Sequence, residues 1–202
     1  MIETEERPKC PFRNDNELIH AFCSGERRAF DDLVMKYKDK IFNLCYLFLG
    51  DYQEADDIAQ EIFIKVHRSL DKFRFESTFS TWLYRITVNT CKNRVKSLDY
   101  RYKKWMCRLD TGNPFDTHNN SIELVDTSDS PLSELENKER TKLINKAIHS
   151  LSKEKKTVTI LRDIEGLSYE EIARLTGLKP GTVKSKLSRA RMDLRKKLDG
   201  VL

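Results

Sequence analysis

The chain has 202 residues, 39% hydrophobic and 34% charged, with a formal net charge of +5. That length holds one large or two small domains, and so polar a composition suits helices with broad solvated faces. The longest apolar run, residues 41–49, is interrupted by Asn43 and is too short to span a bilayer, so no membrane insertion is expected, while the positive balance favours a polyanionic partner.

The N-terminal "MIETEERPK" lacks an apolar h-region, which predicts a cytoplasmic protein without a secretion signal. From Ala29 onward Phe30, Leu33, Val34, Tyr37, Ile41, Leu44, Cys45 and Phe48 keep helical spacing until Gly50 stops the helix. A second helix begins near Tyr52. It turns Ala55, Ile58, Ala59, Ile62, Phe63 and Val66 inward and leaves Asp56, Asp57, Gln60, Glu61 and Lys65 outside. A third runs over residues 80–96 with Trp82, Leu83 and Ile86 on its core side. Between these two, "DKFRFESTF" (71–79) is too irregular for a helix and reads as a loop carrying aromatic residues. Residues 110–131, rich in Asp, Asn, Thr and Ser and without periodicity, read as an interdomain linker. Helices resume near Leu132. Leu143, Ala147, Ile148 and Leu151, then Val158, Leu161 and Ile164, form a small scaffold.

The segment "SYEEIARLTGLKPGTVKSKLSRARMDL" (168–194) carries two helical patterns. Ser168 and Glu171 form a capping box, Gly177 supplies a positive-φ stop, and Pro180 suits a new first turn. In the second pattern Val183, Leu187, Ala190 and Leu194 make one buried stripe, and Thr182, Ser185, Ser188, Arg189 and Met192 face outward, flanked by Lys184 and Arg195. This is the sequence form of a helix-turn-helix, whose second helix enters a DNA major groove. An αα-hairpin with a solvated basic face is the alternative on this stretch alone.

Five cysteines (Cys10, Cys23, Cys45, Cys91, Cys107) include no C-x-x-C pair, and reduced thiols fit best. No cofactor and no metal site are expected; His20 and Cys23 with a distant cysteine are the conceivable exception. Asp56-Asp57 lies beside Lys65 with no convergent partner, so no enzyme is expected and no catalytic residue is assigned. An ordinary helix-turn-helix regulator would explain the C-terminal half but would leave residues 56–94 without a role.

Three stretches, "EADDIAQEIFIKVHRSLDKF", "STFSTWLYRITVNTCKNRVKS" and "LRDIEGLSYEEIARLTGLKPGTVKSKLSRARMDLRKKL", closely resemble the extracytoplasmic-function group of bacterial sigma-70 factors. The resemblance implies an all-α protein of two small helical domains: a tail over 1–14, region 2 over 15–100, a flexible acidic linker over 101–132, and region 4 with the helix-turn-helix over 133–202. It implies a transcription initiation subunit that binds core RNA polymerase through its clamp and flap regions, reads promoter DNA, and is regulated by an anti-sigma factor. Asp56, Asp57, Gln60 and Glu61 occupy the polymerase-docking positions. Arg74, Phe75, Glu76, Ser77, Thr78, Phe79, Arg85 and Asn89 occupy those that read the -10 element as a single strand. Unpaired bases need stacking surfaces, which Phe75, Phe79 and Tyr84 are expected to supply, and a cationic path, expected from Arg74, Arg85, Lys92 and Arg94. Phe75 stands where the family often has glycine. Thr182, Lys184, Ser185, Ser188 and Arg189 occupy the positions that face the -35 duplex.

Overall fold

The computed structural model describes residues 14–106 and 131–199, and all regular structure among them is helical. The N-terminal half holds α1 (Asp15–Cys23), α2 (Arg28–Leu49), α3 (Tyr52–Ser69), a 3-10 turn (Leu70–Lys72) and α4 (Phe79–Met106). The C-terminal half holds α5 (Pro131–His149), α6 (Lys153–Thr159) with a π-helical turn (Ile160–Ile164), α7 (Tyr169–Thr176) and α8 (Pro180–Leu198).

Local chemistry sets the ends. Gly50 takes φ 82° and its N–H donates to the Tyr46 carbonyl at 2.8 Å, which closes α2; one residue later the Asp51 carboxylate accepts from the Glu54 N–H at 2.8 Å and opens α3. Leu33, Ile41, Leu44, Ile58, Ile62, Leu83 and Val88 then pack as the core of this half. Two features go beyond the sequence reading. The short α1, which buries Leu18 and Ile19, opens where the Asn14 N–H donates to the Glu17 carboxylate at 3.1 Å, a local signal of the same kind as the Ser168–Glu171 box. Helix α4 continues past Lys96 to Met106, because nothing between them is a glycine or proline to stop propagation. Residues 107–130, most of the expected linker, and residues 1–13 lie outside the described part, as do Cys10 and Cys107. Cys23, Cys45 and Cys91 are free thiols; Cys45 and Cys91 are buried with their Sγ atoms 3.8 Å apart between α2 and α4, and the contact with Cys91, then burial, hold the Cys45 thiol far above its ordinary range.

In the C-terminal half the Glu165 N–H donates to the Ile160 carbonyl at 3.0 Å, an i to i+5 bond that widens the end of α6 before the helix-turn-helix. The capping box at Ser168 is present in both directions: the Glu171 N–H donates to Ser168 Oγ at 3.2 Å, and the Ser168 N–H donates to Glu171 Oε2 at 2.8 Å. Gly177 takes φ 73° and ends α7; Pro180 opens α8, which buries Val183, Leu187 and Ala190.

The two halves pack against each other. The Glu165 side chain, only 5% exposed, lies 3.3 Å from Lys40 Nζ and beside the Tyr84 hydroxyl, whose pKa is raised by burial and then by that carboxylate. The His149 ring sits edge-on to Tyr46 and so close to Gly50 that a Cβ there would lie 3.2 Å from it, so Gly50 is needed for close approach as well as for its positive φ. Burial first, then Lys156, pushes the His149 pKa down to about 4, and its Nε2 has no hydrogen-bond partner among the described residues. The unfolded chain binds this proton near pH 6.5 and the folded one near 4, so between them the unfolded state holds more protons. Stability therefore falls as pH drops through that window and levels off below it. With allowance for the partly solvated ring, the loss is roughly 2 kcal/mol. Urea unfolding at pH 7 and pH 4.5 is expected to show a pH-dependent loss that His149→Gln reduces by that amount; an identical pH dependence in the variant would place the ring in solvent.

Candidate nucleic-acid interface

Three surfaces gather the side chains singled out in the sequence. The first is α3. Its Ala55, Ile58, Ala59, Ile62 and Val66 are buried, which forces Asp56, Asp57, Gln60 and Glu61 onto one exposed face. Gln60 Nε2 donates to Asp56 Oδ2 at 2.9 Å, and Glu61 pairs with Lys65 at 2.5 Å. Arg94, expected on a cationic path beside the loop, instead crosses from α4 to hold Glu54 through two bonds of 2.6 and 2.8 Å. It steadies the acidic helix. The local reason is that the cross-helix carboxylate offers a bidentate partner that solvent cannot match in geometry.

The second surface is the loop 73–78 with the start of α4. A cleft of about 440 Å³ is lined there by Arg74, Ser77, Trp82 and Arg85, and closed on one side by Arg174 and Leu175 of α7. Arg74, Glu76, Ser77, Thr78, Arg85 and Asn89 are exposed, with Arg85 and Asn89 one turn apart on α4. Phe75 is 41% exposed and holds φ 57°, the one non-glycine residue at positive φ among those described. Its ring stacks on His20 at 4.8 Å with 9° between planes, and meets Phe73 at 4.8 Å.

Two expected stacking surfaces are corrected. Phe79 is 2% exposed, edge-on to Tyr37 at 5.4 Å, and Tyr84 is 2% exposed beside Glu165. Both point into the core because the first turns of α4 must cover α2, and a helix presents every third and fourth residue to one side. Trp82, read from sequence as core, is half-buried and lines the cleft, so it supplies the aromatic wall that Phe79 does not. His20 was not linked to this loop by sequence; only the position of α1 reveals the pairing.

The third surface is α8. Lys184, Ser185, Ser188 and Arg189 are exposed and Thr182 is half-buried at the first turn. The Ser185 hydroxyl donates to the Thr182 carbonyl at 3.0 Å, while Lys184 and Ser188 border a groove of about 380 Å³ with Tyr169 and Met192. Arg191 lines the same groove and is held by Asp163, at 2.5 and 3.2 Å. The arrangement presents two hydroxyls and two cations on one helical side, donors suited to phosphates and base edges. Among the described residues no group of three or more His, Cys, Asp or Glu is placed to hold a metal, and no helix is long and apolar enough to cross a membrane.

Known proteins match over both halves. Residues 33–100 match the family model for sigma-70 region 2, and residues 141–194 match that for sigma-70 region 4. The RNA polymerase sigma-H factor of Pseudomonas aeruginosa is 37% identical over 93% of this chain and 95% of its own. The ECF RNA polymerase sigma-E factor of Haemophilus influenzae is 34% identical over 93% of this chain and 97% of its own. Among solved structures, the sigma factor RpoE of Bartonella quintana, crystallised with the anti-sigma factor NepR, superposes with a TM-score of 0.64 over 84% of this chain and 96% of its own, at 22% identity, a likeness of fold.

Proposed function

This chain belongs to the extracytoplasmic-function group of the bacterial sigma-70 family and is a transcription initiation subunit of RNA polymerase, and from that premise we propose how its three surfaces divide the work. The acidic face of α3 (Asp56, Asp57, Gln60, Glu61) docks on the polymerase clamp. The loop and cleft at the start of α4 (Arg74, Phe75, Glu76, Ser77, Thr78, Arg85, Asn89, with Trp82) take the -10 element as a single strand. Helix α8 (Thr182, Lys184, Ser185, Ser188, Arg189) reads the -35 duplex. The protein works inside the cell, without catalysis of its own.

The observation that carries this reading is the joint presence of an exposed acidic helix face, an aromatic and cationic cleft and a basic recognition helix, the first and last each oriented by a buried stripe on its own helix. An ordinary helix-turn-helix regulator needs the last of these alone. Transcription in vitro with core polymerase tests it: the chain is expected to direct initiation from promoters that carry both elements, and tight duplex binding with no effect on polymerase would overturn the reading.

The packing of the halves bears on regulation. Promoter elements two helical turns apart are separated by about 70 Å, whereas here α7 borders the -10 cleft itself. We infer that the described arrangement is a closed form which separates on polymerase, and that an anti-sigma factor acts by covering the docking and DNA-binding faces. NepR bound to the Bartonella factor is consistent with that control.

For the duplex contact, Lys184→Ala is expected to reduce transcription according to the -35 sequence, with about 1–3 kcal/mol lost at the preferred base pair. Promoter variants scanned position by position check it; equal loss on every variant would make Lys184 a phosphate contact.

A further inference from the structure

The seam between the halves contains a second cavity, of about 470 Å³, between α4 and α6. Its size falls within the range of small-molecule sites, roughly 300–1,000 Å³. Lys92 and Lys96 enter from α4, one turn apart, and Lys153 and Lys156 enter from α6. The one carboxylate in the lining, Glu154, pairs with Lys186 of α8 and adds a weaker attraction to Lys92. Between the cations the wall is apolar, with Val95 on the α4 side and Leu151 and Leu178 opposite.

Lys92 and Lys156 are half-buried on the two sides of the cavity, Lys96 and Lys153 are exposed at its rim, and on each helix the neighbouring lysine disfavours the buried charge. Burial and then Lys96 lower the pKa of Lys92; burial and then Lys153 lower that of Lys156, whose ammonium meets His149 Nδ1 at 3.3 Å. An anion with several charges would pair with lysines of both helices, most strongly with the half-buried Lys92 and Lys156. The apolar wall adds a second requirement, because a bare inorganic anion would leave it uncovered. A ligand with a phosphate chain at one end and a flat, weakly polar body at the other satisfies both.

We propose that the cleft between α4 and α6 binds a nucleoside polyphosphate, with the phosphates on the lysines of the two helices and the nucleoside against Val95, Leu151 and Leu178. A ligand touching both halves binds the closed arrangement and not a separated one, so it favours closure by mass action. The binding itself is independent of the role in transcription.

Titration of the full free chain with ATP, inorganic tripolyphosphate and adenosine, followed by calorimetry, tests the proposal. ATP is expected to bind at one site per chain, tripolyphosphate at least about tenfold more weakly and adenosine more weakly still, in the order set by charge and apolar cover. Lys96→Gln with Lys156→Gln is expected to weaken ATP by about tenfold or more, the scale of losing a charged hydrogen bond. Lys184→Ala with Arg189→Ala, on the DNA-facing side of α8, is expected to leave ATP binding within about twofold, since neither residue lines the cleft. Circular dichroism confirms that each variant is folded, and the single Lys156→Gln replaces the double variant if the latter unfolds. Absence of saturable one-to-one binding, tripolyphosphate binding as tightly as ATP, or a loss caused by the α8 variants instead of the cleft variants would each overturn it.

Discussion

Asp57→Lys combined with Glu61→Lys is expected to lower affinity for core polymerase by about a hundredfold or more while leaving the helical content unchanged. Both carboxylates are exposed on α3, four residues apart and off the buried stripe, so neither reversal disturbs the core. Glu61 loses a single i,i+4 pair with Lys65, worth about 0.3–0.5 kcal/mol at a solvated surface. The Arg94–Glu54 pair that ties α3 to α4 remains, although Asp57 and Glu61 no longer add to the favourable field around the guanidinium. At the proposed docking surface the balance differs: if the polymerase presents a basic face there, two cations in place of two anions turn attraction into repulsion, which costs several kcal/mol. Size-exclusion co-elution and a fluorescence titration at low and moderate salt measure it. The native affinity is expected to fall with salt and the variant's to change little, because the interaction screened is the one removed. Unchanged co-elution would move the docking face elsewhere on the molecule.

Much of this architecture was legible in the chain because its signals are local. Gly50, the Ser168–Glu171 box, Gly177 and Pro180 each act within a turn or two of their own position, and each ends or starts a helix where the sequence places it. The outward faces of α3 and α8 follow from 3.6-residue periodicity, so their polar residues are found exposed without knowledge of the rest of the fold. What sequence could not supply is what one helix meets on another. Arg94 reads as one more cation near the loop until α4 is laid against α3 and Glu54 comes within 2.6 Å. Phe79 and Trp82 stand three residues apart at the same helix end, and which of them faces the core depends on where α2 lies beneath them. The π-helical turn at Ile160–Ile164 carries no signature glycine or proline in its own span, and the approach of His149 to Gly50 joins residues a hundred positions apart.

The last expected result concerns the loop that sets Phe75 beside the cleft. The backbone there adopts φ 57°, a conformation in which a side chain costs roughly 1 kcal/mol and glycine costs almost nothing. The ring offsets that strain by stacking on His20 and packing on Phe73, yet it stays 41% exposed, outside the cleft itself but between Arg74 and Glu76, which line it. A bulky ring held at an unfavourable φ on an exposed edge gains little for stability, so a role in taking an unpaired base is the better account; such stacking is worth about 1–3 kcal/mol per base. Phe75→Ala is therefore expected to reduce transcription from duplex promoters by about tenfold, and to have a much smaller effect on templates whose -10 region is already melted, since the ring's energy offsets the cost of drawing the base from the stack. Phe75→Gly separates the two contributions. It removes the ring but also the backbone strain, so it is expected to match Phe75→Ala in transcription while unfolding about 1 kcal/mol later in urea. Equal losses on both templates would mean that Phe75 reads the base after melting. Full activity of either variant on both templates would make the ring a spacer, with the stack on His20 as its whole contribution.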